Sequence, residues 1–138
     1  MKKIIVVVVL LIVAFSAGFL PQYAKGKRLE RELGEARQEN SLAHLRDLAG
    51  LAYLQASQKD YGLAGGTTRR FFDRTREVAN QTPASSGRKA LEDLLNLRDQ
   101  ITGALARGDP AVLNDLQTLW IKTRQATAAS AGAARQPE

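Results

Sequence analysis

Residues 45–56 read LRDLAGLAYLQA, and from Leu48 onward the stretch is apolar around nearly its whole circumference when wound as a helix. Such a helix needs cover on several sides, so it is expected to be the central element of a helical core. No proline occurs between Lys25 and Asp60, and Leu29, Leu33, Ala36, Leu42, Leu45, Leu48 and Ala52 follow at helical spacing. One long helix over this region is the natural reading.

Upstream of the core element the character is different. KRLERELGEARQEN, residues 27–40, is densely charged, with Leu29, Leu33, Ala36, Asn40 and Ala43 forming a seam near 3.5-residue spacing. That amounts to about two heptads of coiled coil, too short to be stable by itself. A solvated helical stalk over residues 25–44 is the expectation, with a weak dimer contact as the alternative.

Further upstream, residues 4–20 read IIVVVVLLIVAFSAGFL, with no charge and Ser16 as the one polar side chain. As a helix this run spans roughly 25 Å, close to the hydrocarbon thickness of a bilayer. Its thirteen Ile, Val, Leu and Phe residues favour insertion by roughly 0.3–0.6 kcal/mol each. Residues 1–24 are therefore expected to be a transmembrane signal-anchor held in membrane lipid, with Lys2, Lys3 and Tyr23 at the interfaces. The competing reading is a cleaved signal peptide, since Ala14-Phe15-Ser16 and Ser16-Ala17-Gly18 offer small residues at cleavage spacing. The apolar run continues through Phe19 and Leu20, which favours the uncleaved anchor. Lys2 and Lys3 favour a cytoplasmic N-terminus, whereas Lys25, Lys27, Arg28 and Arg31 favour the reverse. The preferred placement is single-pass in the inner membrane with the domain periplasmic or extracytoplasmic, and a cytoplasmic-facing domain is the alternative.

Downstream, Lys59-Asp60-Tyr61-Gly62 reads as a turn and Thr67 as the N-cap of a second helix. That helix places Thr68, Phe71, Phe72, Thr75, Val78 and Ala79 on one face and runs to about Asn80. After a loop around Pro83, a third helix carries Leu91, Leu94, Leu95, Ile101 and Leu105 and closes at Arg107-Gly108. Asp109-Pro110 opens a fourth as N-cap and first turn, with Val112, Leu113, Leu116, Leu119, Trp120 and Thr123 as its buried stripe. From residue 126 the chain is small and polar with little to bury, and 126–138 are expected to be a disordered tail. The fold class is all-α: a transmembrane helix, a charged stalk, and a small antiparallel bundle of about four helices over residues 45–125, arranged as tandem hairpins.

A faint internal repeat supports the hairpins. Gly or Lys, then Asp, then a turn residue precede an amphipathic helix twice, with Phe71-Phe72-Asp73-Arg74-Thr75 matching Leu119-Trp120-Ile121-Lys122-Thr123. The period of about 48 residues lies near that of helical-hairpin solenoids, but the tetratricopeptide spacing is not met.

Composition removes several chemistries. With no cysteine, disulfides, thiolate metal sites and thiol nucleophiles are excluded. His44 is the one histidine, so two-histidine metal sites are excluded too, and on its helix it reads as a surface residue. No serine sits in a Gly-x-Ser-x-Gly elbow. Gly65-Gly66-Thr67-Thr68-Arg69 lacks both the lysine and the preceding strand of a phosphate loop. Glu92, Asp93 and Asp99 are spaced as a solvated face. No catalytic residue, metal or cofactor is expected, and the chain reads as a non-enzyme.

The net charge of +6 includes Lys2 and Lys3 beside the apolar run and leaves the rest only mildly basic, which argues against nucleic acid as a partner. Arg69, Arg70, Arg74 and Arg76 gather around Phe71 and Phe72 and form the candidate interaction surface. Pairing of Arg69 with Asp73 and of Arg74 with Glu77 would neutralise them. The expected function is a membrane-anchored, non-catalytic interaction or scaffold module of the bacterial cell envelope, bound to a protein partner or to itself and taking no small-molecule substrate. The alternatives are an anion- or lipid-headgroup-binding module built on residues 69–76, and a cleaved, secreted helical protein.

Overall fold

A computed structural model describes the backbone of residues 1–134 and the side chains of residues 1–10, 13 and 25–133. The described chain is all-helical: α1 (Lys2–Ser57), α2 (Tyr61–Gln81), α3 (Ser86–Leu95), α4 (Arg98–Ala106) and α5 (Val112–Ala134). It divides into two compact units, Met1–Arg37 and Gln38–Glu138.

The first unit is helix alone. The described apolar side chains at 4–10 and Val13 are each between 49% and 69% exposed. Among the described residues no helix is long and apolar enough to cross a membrane. The expected span at 4–20 rests in part on side chains at 11, 12 and 14–20, which lie outside the described residues. In the charged segment that follows, Arg28 pairs with Glu32 at 3.0 Å and Arg31 with Glu35 at 3.8 Å, one turn apart on the helix surface.

The second unit is a helical bundle built from the C-terminal part of α1 and from α2 to α5. Its core begins at Leu42, three residues before the expected boundary at 45, and continues through Leu45, Leu48, Ala49, Ala52 and Ala56. The cover expected on several sides is partial: Leu51 and Leu54 are 41% and 51% exposed. The small residues Ala49, Ala52 and Ala56 form the buried face, while two of the leucines point outward.

α1 ends at a corner of definite type. Lys59 has φ +62°, its N–H donates to the Ala56 carbonyl, and the Asp60 N–H reaches back to Gln55. This is the paired hydrogen bonding of a helix closed by a left-handed residue. The Asp60 carboxylate then accepts the Leu63 N–H at 3.1 Å and caps α2. The expected start at Thr67 is therefore too late. Thr67 is fully buried in the second turn of a helix that runs straight through Gly65 and Gly66.

The same corner recurs between α4 and α5, close to the first, since a Cβ on Gly108 would lie 3.7 Å from the Tyr61 ring. Gly108 has φ +63°, its N–H donates to Leu105 and the Asp109 N–H donates to Ala104. The Asp109 carboxylate accepts the Ala111 N–H at 2.9 Å in the turn that leads into α5. The faint repeat thus corresponds to two equivalent corners. It extends into the helices, where the hydroxyls of Thr75 and Thr123 donate to the Phe71 and Leu119 carbonyls respectively.

One expected helix is two. α3 ends at Asn96, and α4 begins at Arg98 after a tight turn in which the Leu97 N–H donates to Leu94. In an unbroken helix, steps of 100° would set Arg98 in the middle of the stripe made by Leu91, Leu94, Ile101 and Leu105. The break keeps the core apolar and leaves Arg98 half-buried. Leu91, Leu94, Ile101 and Leu105 are buried as expected, and Leu95 is partly so.

The expected tail from 126 is also corrected. α5 continues to Ala134, with Ala126, Thr127 and Ser130 buried. It packs mainly on α3, and a Cβ placed on Gly87 would lie 2.6 Å from the Ser130 Cα. Small residues bury there because the two backbones come close enough to touch. Trp120 departs from its expected place in the buried stripe. It is 37% exposed, stacked on Tyr53 with ring centroids 6.2 Å apart, and seated over Gly50.

Candidate functional site

α2 carries all four arginines of the candidate surface, and its helical geometry separates them. Arg69 and Arg76 fall on nearly one line of the helix, seven residues apart, while Arg70 and Arg74 fall on another about 100–140° away. Phe71 and Phe72 lie between these rows, fully in the core, edge to face at 5.1 Å. The aromatic residues are therefore unavailable to any ligand of the arginines.

Arg74 is committed to structure. One Nη donates to Glu77 Oε2 at 2.6 Å and the other to Ser41 Oγ at 2.9 Å, fastening α2 to α1. Its Nε is buried without a partner. Arg70 donates to Thr67 Oγ1 at 3.3 Å and is otherwise exposed. Arg76 is exposed. Of the two neutralising pairs expected, Arg74 with Glu77 forms, while among the described residues no ion pair joins Arg69 to Asp73.

Arg69 instead lines an open groove of about 410 Å³ between the first turns of α2 and the end of α4. Gly62 and Gly65 leave the stretch of its α2 wall between Tyr61 and Arg69 open, and Thr102 lines it from α4. Arg107, the residue after α4, lines the groove as well, with one Nη 3.4 Å from where a Cβ on Gly103 would stand. Sequence reasoning missed Arg107 as a companion of Arg69, because 38 residues separate them and only the packing of α2 on α4 brings them together. The Thr102 hydroxyl donates to the Arg98 carbonyl at 2.7 Å, which leaves its oxygen free to accept but not to donate elsewhere.

A second, shallower groove of about 350 Å³ lies between α3 and α5, with Asp93 and Lys122 at its rim and Ala90, Ala126 and Ala129 along it. His44 is exposed on α1, and Glu92 is held by Arg88 at 2.9 Å. Among the described residues, no three His, Asp or Glu side chains stand close enough together to hold a metal ion.

No protein-family model, curated protein or solved structure matches this chain.

Proposed function

We propose that this protein is a membrane-anchored, non-catalytic helical interaction module of the cell envelope. Residues 4–20 are its single-pass anchor and two helical hairpins, joined through like corners, form the part that meets other proteins. The observation that carries the reading is the bare apolar surface of the first unit, where residues 4–10 and Val13 are about half exposed or more on every side of the helix. Apolar area of this extent is unfavourable in water at about 25 cal/mol per Å², and lipid removes that cost without requiring any contact from the rest of the chain. The positive charges at Lys2 and Lys3 suit a cytoplasmic N-terminus and a bundle on the far side.

The test is fractionation of the full chain from expressing cells, with alkaline extraction of the membranes and N-terminal sequencing of the product. Retention in extracted membranes with Met1 or Lys2 at the start supports the anchor. A supernatant protein beginning after Ser16 or Gly18 overturns it. Val8→Asp with Leu10→Asp should release the protein, since each carboxylate costs about 2.5–3.5 kcal/mol at the centre of a span.

A second reading rests on Arg69 and Arg107, two arginines that line one groove. In this reading the groove takes a small anion such as a phosphate ester or a carboxylate. Titration with inorganic phosphate, followed by amide shifts of Gly62, Gly65 and Thr102, should saturate in the natural chain. It should weaken roughly tenfold in Arg69→Gln, the loss of one charge-assisted contact of about 1.5 kcal/mol. Linear, non-saturating shifts would dismiss it.

A further inference from the structure

The stalk seam at Leu29, Leu33 and Ala36 is bare: Leu29 is 68% exposed, Leu33 is 53% exposed and Ala36 is exposed. We propose that it is covered by a second copy of this chain, aligned in parallel and in register as a two-stranded coiled coil. The inference rests on the anchored-module reading for its setting and names the partner.

Charge around the seam selects this partner. Spacings of four, three, four and three residues assign Leu29, Ala36 and Ala43 to the d positions of a heptad and Leu33 and Asn40 to the a positions. The flanking g positions are then Lys25, Glu32 and Glu39, and the e positions Glu30, Arg37 and His44. In a parallel pair each g residue faces the e residue five places later on the other strand. Lys25 then faces Glu30, and Glu32 faces Arg37, both with opposite sign. The next such pair, Glu39 with His44, sets a carboxylate beside an imidazole that can donate a hydrogen bond to it.

An antiparallel pair that keeps Leu29 against Leu33 fails the same test. It brings Glu32 against Glu32 and Glu30 against Glu30 of the second copy. Asn40 adds direction, because an asparagine at an a position bonds its own counterpart only when two strands run parallel and unshifted. The bond between Arg28 and Glu32 does not compete, since it joins two exposed groups and costs little to share. Two leucine layers are too few for a tight dimer in dilute solution. Confinement of both anchors to one membrane supplies the missing concentration and also imposes the parallel orientation.

The natural chain has no cysteine, so an introduced thiol is unique in each copy. Leu29→Cys, Ala36→Cys and, on the outer face, Arg31→Cys are expressed as full chains and oxidised in whole cells. Fractionation of the same sample reads the anchor, and the disulfide-linked dimer reads the pairing, so the two readings fail separately. Leu29→Cys and Ala36→Cys should cross-link roughly tenfold more than Arg31→Cys, as buried and outer positions of a coiled coil do. In the Leu29→Cys background, Arg37→Glu should lower the yield severalfold, and adding Glu32→Arg should restore it, which no loss of folding could do. Equal cross-linking at all three positions, none at any, or no rescue by the charge exchange would overturn the proposal, wherever the chain fractionates.

Discussion

At Gly87 a single hydrogen atom decides how two helices meet. Any Cβ there would stand 2.6 Å from the Ser130 Cα and 2.9 Å from its Oγ, and the first of these is backbone that cannot rotate away. Gly87→Ala should therefore push α3 and α5 apart and destabilise the bundle by about 1–3 kcal/mol, despite the better helix propensity of alanine. Chemical denaturation of the full chain measures this as a lower midpoint. An unchanged or higher midpoint would mean that the close approach is not held. Ser130 lies in a stretch of alanine, serine and glycine that reads as having nothing to bury. It packs because it needs so little room, a property of the partner surface that its own composition does not reveal.

The elements are punctuated by two corners of one design, and these can be separated experimentally. The carboxylates of Asp60 and Asp109 each satisfy a backbone N–H at the start of a helix. Asp60→Ala and Asp109→Ala should each cost about 1 kcal/mol, and because Tyr61 beside the one lies against Gly108 beside the other, the double variant should depart from the sum. The residue before each aspartate is left-handed, but one is Lys59 and the other Gly108. Lys59→Gly should stabilise by up to about 1 kcal/mol and Gly108→Lys should do the opposite, both read from thermal or denaturant midpoints. Opposite signs from exchanging the same two residues would be hard to obtain from any other backbone geometry. The sequence shows the repeat of Lys or Gly followed by Asp, yet it places the start of α2 at Thr67, because Gly65-Gly66 reads as a break. Burial of Ala64, Thr67 and Thr68 on the face that packs into the core outweighs about 1 kcal/mol per glycine. The interruption at Asn96 is likewise invisible to spacing alone and emerges only when the angular position of Arg98 is followed into the core.

For the molecule as a whole, hydrophobic periodicity makes the helical class, most of the core and the order of its helices readable. Leu45, Phe71, Leu91, Leu94, Leu116 and Leu119 are all buried, as their spacing requires. The candidate site is less readable. Four arginines close in sequence divide between two helix faces, one of them ties α2 to α1, and Arg107, which lines the groove with Arg69, follows another helix. Periodicity reports which side of a helix is wet, whereas convergence of charges depends on how helices are set against one another.

Inside the bundle the hydroxyls of Thr75, Thr123 and Ser130 donate to carbonyls one turn back in their own helices, and that of Thr82, which closes α2, does the same. Hydroxyls satisfied in this way say nothing about where a neighbouring helix should stop along its axis. The seat of α5 against α3 is set instead by the notch at Gly87, as a detent holds a sliding bolt. With the notch filled, the bolt loses its seat and α5 must ride higher on α3.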